Sequence, residues 1–165
     1  AMSKLAMEHM ARTYLDRLPI VITRPFNYTG PGQASNFLIP KLVSHFYRRS
    51  SAIELGNLHV EREFNDVRMV CDAYLSLLAK GQSGEIYNIC SGRPYALEYV
   101  IGVLSELTSH TLDVLVNPQF VRVNEVYRLC GSPKKLLECT GPLEQYNLRD
   151  TLQSMLNSFI ENRYF

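Results

Sequence analysis

The chain has no tryptophan, no Cys-x-x-Cys pair and no excess of charge of either sign. Seventeen Lys and Arg against sixteen Asp and Glu leave a formal net charge of +1. That balance gives no electrostatic case for nucleic acid or an acidic membrane surface as a partner. No apolar run approaches membrane-spanning length, and no signal-peptide pattern is present. Internal repeats, low-complexity segments and a recognisable interdomain linker are missing too. The four cysteines are Cys71, Cys90, Cys130 and Cys139, each in an apolar or strand-like context. Buried free thiols are expected there in preference to a metal site, and no metal ligand is assigned. This usage fits a reducing cytoplasm.

What remains is an ordinary globular composition, 46% hydrophobic and 20% charged over 165 residues. That length holds one core, with room for a smaller lobe. Met2, Leu5, Ala6, Met10, Tyr14 and Leu18 recur at helical spacing and predict an amphipathic helix from Met2 to Leu18, stopped by Pro19. Tyr14 falls on its core stripe. Ile20 to Thr23 then reads as a β-branched strand. Helix feeding directly into strand is the order of an α/β sheet. Arg24 to Gln33 carries two prolines and two glycines and is a shaped loop. It leaves the carboxyl end of a strand, the edge at which open α/β sheets bind ligands.

Asn36 is placed to cap a helix from Phe37 to Arg49, with Pro40 in its first turn. Lys41, near that amino end, has two readings: a solvated lysine, or the partner of a bound anion. Ala52 to Leu55 reads as a strand closed by a Gly56-Asn57 turn. Asp66 is the expected N-cap of a helix from Val67 to Leu78, with Val67, Val70, Cys71, Tyr74, Leu77 and Leu78 on its apolar face. A strand from Glu85 to Cys90, a helix from Ala96 to Thr108 and a strand from Leu112 to Val116 follow. Val121 to Val126 is extended. Ser132 with Pro133 next starts a short helix, Lys134 to Cys139. The last helix spans Leu148 to Glu161 and buries Leu148, Leu152, Met155, Leu156 and Phe159.

Several motifs stand in one order along the chain. They are Ser-Lys-x-x-x-Glu at Ser3, Lys4 and Glu8, and Arg-Pro-x-Asn-x-x-Gly-Pro from Arg24. Next come Gly-Asn-Leu-x-x-x-Arg-x-Phe-x-Asp-Val-Arg from Gly56 to Arg68, and Gly-Glu-Ile-Tyr-Asn-Ile-Cys-Ser-Gly from Gly84 to Gly92. The last is Arg-x-x-Glu at Arg122 to Glu125, followed by Gly131 to Leu136. The set resembles the extended short-chain dehydrogenases/reductases, the NAD-dependent epimerase/dehydratase family, in the branch that handles GDP-mannose derivatives. Asn27-Tyr28, Pro31-Gly32-Gln33 and Phe64 resemble the GDP-4-keto-6-deoxy-mannose reductases more than the GDP-mannose 4,6-dehydratases.

The resemblance implies an α/β fold: the C-terminal portion of a Rossmann-like parallel sheet plus a smaller α/β substrate-binding lobe, residues 1–165 forming one truncated unit. It implies that Lys4 is the lysine of a Tyr-x-x-x-Lys pair. The ammonium would lower the pKa of a proton-donating tyrosine and bind the nicotinamide ribose. That tyrosine would stand immediately before Ala1, and no Gly-x-x-G-x-x-Gly cofactor loop occurs in these residues. NAD(P) is therefore the cofactor of the whole enzyme and is not expected to bind this chain alone, which is expected to be inactive by itself.

The resemblance further implies nicotinamide contacts from Pro25, Phe26 and Asn27. Asn27 would also meet the sugar or its phosphates, and Asn36 and Lys41 the diphosphate at a helix N-terminus. Leu55, Gly56 and Asn57 would hold guanine. Arg62 and Arg122 would clamp the diphosphate, with Glu125 on ribose or guanine. From the residues alone, Arg62 with Glu61 or Glu63, and Arg122 with Glu125, read equally as exposed ion pairs. The expected partners are a GDP-sugar and, through the first helix, a second copy of the chain or a separately encoded N-terminal half. A different nucleotide-sugar epimerase or dehydratase, and a non-catalytic GDP-sugar-binding module, are the alternative readings.

Overall fold

The computed structural model describes residues 2–121 and 124–161. Arg122 lies outside the described residues, as does part of the extended stretch expected from Val121 to Val126.

Three helices pack around one pair of strands: α1 (Met2–Arg12), α3 (Val67–Lys80) and α5 (Lys134–Thr140) around β1 (Ile22–Pro25) and β6 (Ile86–Ile89). The rest comprises β2 (Tyr28–Thr29), α2 (Leu38–Tyr47), β3 (Ala52–Leu55), β4 (Glu61–Glu63), β5 (Asn65–Asp66), β7 (Pro94–Ala96), α4 (Leu97–Thr108), β8 (Asp113–Val116), β9 (Arg128–Leu129) and α6 (Leu148–Ile160). A 3-10 turn spans Pro118–Phe120.

β1 and β6 pair in parallel from Ile22 opposite Ile86 to Pro25 opposite Ile89. β3 and β8 also pair in parallel, as do the short β2 and β5. β4 is the centre of a three-stranded sheet, antiparallel to β7 and parallel to β9. Parallel pairs joined by helical crossovers are the α/β grammar read from the sequence.

Side chains alternate across the β1–β6 pair. Val21, Tyr87 and Ile89 pack with Met69, Val70, Ala73 and Leu77 of α3 and Leu136 of α5. Arg24, of the opposite parity, reaches α1 instead through Glu8. So α1 and α3 cover opposite faces. The larger core lies elsewhere, where α2, α4 and α6 meet around Ile53 and Leu55 of β3.

Several expectations need correction. α1 ends at Arg12, because residues 13–18 tighten into turns held by Thr13 N to Met10 O and Tyr14 N to Ala11 O. None of its residues is buried. Tyr14 is exposed and not on a core stripe; Met2, Leu5 and Met10 are exposed with it. The first strand begins at Ile22 and runs through Arg24 and Pro25.

In α3 the buried residues are Met69, Val70, Ala73 and Leu77, whereas Cys71, Tyr74 and Leu78 are exposed. That helix carries two apolar stripes, and the packing of β6 and α5 selects one of them. Asn36 does not cap α2; Phe37 holds that position and supplies no side-chain bond. Ser132 likewise does not cap α5, where Pro133 takes the place. Only Cys90 is a buried thiol: Cys71 and Cys130 are exposed and Cys139 is half-buried. Asp66 does cap α3, accepting from Arg68 N at 2.8 Å. All five apolar residues expected to be buried in α6 are buried.

Candidate functional site

Two fixed points set the direction of α1 against β1. Leu15, just past the helix, sits beside Gly84, whose N–H donates to Ile20 O. Seven residues earlier, Glu8 accepts two bonds from Arg24, at 2.9 Å from Nε and 2.6 Å from Nη2. The helix therefore runs antiparallel to β1. Lys4 is one turn beyond Glu8 on the same helix, about 6 Å along its axis. The hydrogen bond from Arg24 lowers the Glu8 pKa, so this pair is charged at neutral pH.

The strand continues as Phe26, whose N–H donates to Ile89 O at 2.9 Å. Its ring packs so closely on Gly131 that a Cβ there would lie 2.7 Å from the ring and 2.7 Å from Cys90 Sγ. The side chain of Phe26 is thus turned inward. Cys90, buried beside this contact, has its pKa raised to about 12 by desolvation, with the Glu63 carboxylate and Cys130 adding to it. It is an inert thiol.

Asn27 is exposed, and its side-chain amide makes no hydrogen bond among the described residues. Its carbonyl is held by Asn65 N at 2.9 Å and Asn65 Nδ2 at 3.1 Å. Beyond it, Thr29 donates to Gln33 at 2.6 Å and closes the loop on itself.

A second cluster forms at the carboxyl ends of β3 and β8. Lys41 Nζ donates to Glu54 O at 2.9 Å and lies 5.4 Å from the centroid of the Phe120 ring. Gly56 touches the Phe120 carbonyl; a Cβ at Gly56 would come within 2.2 Å of that oxygen. Any side chain at Gly56 would therefore displace the turn after β8. Leu55 is buried beneath, and Asn57 follows half-buried. Asn36 is exposed ahead of α2. The α2 N-terminus has no side-chain cap, which leaves its first N–H groups open to an acceptor from outside.

Arg62 and Glu125 are brought together as a pair. Arg62 Nη2 donates to Glu125 Oε1, while Nη1 donates to Glu61 O at 2.8 Å and Tyr127 O at 3.3 Å. Both side chains are more than four-fifths buried. Of the two pairings read for Arg62, with Glu61 or with Glu63, neither forms; Glu125 is its partner. Arg62 and Lys41 both reach neighbouring carbonyls, so each carries positive charge into the lobe while already engaged.

Sequence reasoning missed three contributors. Glu63 is buried and accepts from Ser91 N at 2.7 Å, Ser91 Oγ at 3.1 Å, Gly92 N at 3.2 Å and Gly131 N at 2.6 Å. A carboxylate at that place ties β4 to the turn after β6. Phe120 is half-exposed beside Lys41. Asn65 holds Asn27. None of the three had a local signal, because each meets its partner on a segment distant in sequence.

The sequence model of the NAD dependent epimerase/dehydratase family matches residues 1–90. The GDP-6-deoxy-D-talose 4-dehydrogenase of Aggregatibacter actinomycetemcomitans is 36% identical over 163 residues, 99% of this chain and 54% of that protein. The GDP-6-deoxy-D-mannose reductase of Pseudomonas aeruginosa is 31% identical over 96% of this chain and 55% of that protein. The structure of RMD from Pseudomonas aeruginosa complexed with NADPH superposes with a TM-score of 0.90 at 29% identity, over 98% of this chain and 56% of that one. This chain spans about half the length of the curated relatives it matches. The paired parallel strands, the loop leaving β1 and the agreement with a family model over more than half the sequence converge: the chain belongs to the NAD dependent epimerase/dehydratase family.

Proposed function

We propose that this chain is the C-terminal, substrate-binding part of a nucleotide-sugar oxidoreductase that reduces the 4-keto group of GDP-4-keto-6-deoxy-D-mannose with NAD(P)H. The observation that carries the reading is the Glu8–Arg24 pair, which holds α1 against β1 one helical turn away from Lys4. Two curated relatives that align with nearly the whole chain are named for GDP-linked 6-deoxy-hexoses, a talose 4-dehydrogenase and a mannose reductase.

The residues present fit a nicotinamide cofactor at one edge only. Lys4 would bind the ribose, and the backbone at Pro25, Phe26 and Asn27 would border the ring. When bound, NAD(P)H supplies the hydride. Lys4 holds a positive charge where a tyrosine on the same helical face would give up its proton, so it favours the phenolate that is left. Asn27 presents its exposed amide to the sugar or diphosphate. The open N-terminus of α2, with Asn36 ahead of it and Lys41 in its second turn, attracts the phosphates. Leu55, Gly56 and Asn57 border guanine, with Phe120 beside them. Arg62 and Glu125, as a pair, are shaped for a ligand with acceptor and donor groups side by side: diphosphate oxygens for the guanidinium, ribose hydroxyls for the carboxylate. Arg122 is the second diphosphate clamp in this reading.

One second reading is favoured by the 36% identity to the talose enzyme. Talose and mannose differ at C4, so that enzyme handles the same carbon with the other stereochemistry. NMR of the product formed by the chain joined to an N-terminal half separates the two, since H4 is axial in one product and equatorial in the other. In the same assay, Lys4→Met should abolish NADPH oxidation, and the 165-residue chain alone should oxidise none. Turnover by the chain alone, or full turnover by Lys4→Met, would contradict the proposal.

A further inference from the structure

We propose that Asn65 is the positioning residue for Asn27, acting on ligand affinity only through it; this rests on the reading of Asn27 as a phosphate or sugar contact. Residues 63–66 are buried in succession, and three of the four are polar. Each polar side chain serves a different segment. Glu63 holds the turn at Ser91 and Gly92 together with Gly131. Asp66 holds the first turn of α3 through Arg68, and Thr151 of α6. Asn65, between these two anchors, gives both its backbone N–H and its side-chain N–H to the carbonyl of Asn27.

Two donors occupy both lone pairs of that carbonyl. They fix the peptide plane after Asn27 and with it the direction of the exposed Asn27 side chain. The backbone bond alone would come with any residue paired in β5. The side-chain bond needs an amide. The amide also carries a burden, since Asn65 Oδ1 is buried with no hydrogen-bond partner among the described residues. An apolar side chain would leave no orphaned acceptor there. Packing therefore does not account for asparagine at this position, whereas its donors do. Asn65 approaches Asn27 from a rib clamped on both sides by carboxylates, so the loop inherits the rigidity of the core.

The test is calorimetric titration of the 165-residue chain with GDP and with guanosine, for the unsubstituted chain, Asn65→Ala, the isosteric Asn65→Asp, Asn27→Ala and the double variant. Loss of one oriented hydrogen bond predicts about tenfold weaker GDP binding in both Asn65 variants, with guanosine unaffected. On the Asn27→Ala background, Asn65→Ala should add nothing. Unchanged GDP affinity, equal loss for guanosine, or additive losses in the double variant would each overturn the proposal. If the unsubstituted chain binds no GDP, the functional reading fails, and hydrogen exchange decides the positioning claim by itself. Amides from Asn27 to Thr29 should then exchange faster in Asn65→Ala and Asn65→Asp, and unchanged protection would overturn it.

Discussion

α1 and α6 carry comparable amphipathic patterns but opposite fates. α6 buries Leu148, Thr151, Leu152, Met155, Leu156, Ser158 and Phe159 against α2, α4 and β5. α1 buries none of its residues, and its large apolar side chains, Met2, Leu5, Met7 and Met10, are exposed. Helical spacing of apolar residues says that a face has a partner. It does not say whether the partner belongs to the same set of residues. In α6 the apolar stripe and the packed face coincide. In α1 the contact with the sheet is a charged one, the Glu8–Arg24 pair, and the large apolar residues of the helix stay exposed.

The sharpest test of that contrast is truncation in the two helices. Leu152 is fully buried, and Leu152→Ala should cost about 2–5 kcal/mol in denaturant unfolding. Leu5→Ala, at a residue 46% exposed, should change the same quantity by less than about 0.5 kcal/mol. Comparable losses at the two sites would break the comparison.

Next in size is Asp66, which joins α6 to α3 through Thr151. Burial alone would raise its pKa. Hydrogen bonds from the Arg68 side chain and backbone and from Thr151 outweigh that and hold it below the usual carboxylate range. The folded state thus binds protons less readily than the unfolded one. Its stabilisation is complete above the unfolded pKa, about 4, and is lost as the pH falls through the folded value. Asp66→Asn should cost about 1–3 kcal/mol at pH 7 and flatten the acid limb of stability against pH.

The α1 stripe itself predicts self-association. Light scattering should show a species larger than the monomer, and Leu5→Glu with Met10→Glu should return it to monomer without moving the unfolding midpoint. Thiol labelling gives a smaller effect in the native state. Cys71 and Cys130 should react with an aromatic disulfide reagent at once, and Cys90 only on unfolding, because its thiol is buried and its pKa is near 12. The smallest effect is expected from Glu8→Gln, whose exposed pair with Arg24 should leave the unfolding midpoint nearly unchanged.

Most of the element order was legible from period and punctuation. Ala52 to Leu55, the Asp66 cap and the buried face of α6 follow from local rules, because the same residues that make the pattern also make the contacts. The misses share another cause. Which stripe of α3 is buried depends on β6 and α5, distant in sequence. The partner of Arg62 is Glu125, on a segment 63 residues away, and not an adjacent glutamate. Asn36 lost the cap to Phe37 because loop geometry, not side-chain preference, fixed where α2 begins. Asn65 had no local signal at all, since its meaning lies in a carbonyl 38 residues earlier.

In the proposed reading, a GDP-sugar lies across the open ends of β1, β3 and α2. Calorimetric titration of the 165-residue chain with GDP, with UDP and dTDP as controls, tests it most directly. Saturable binding of GDP, tighter than that of either pyrimidine nucleotide and weakened by Asn27→Ala, is the predicted result. No heat of binding with GDP into the millimolar range, or equal affinity for all three nucleotides, would contradict it.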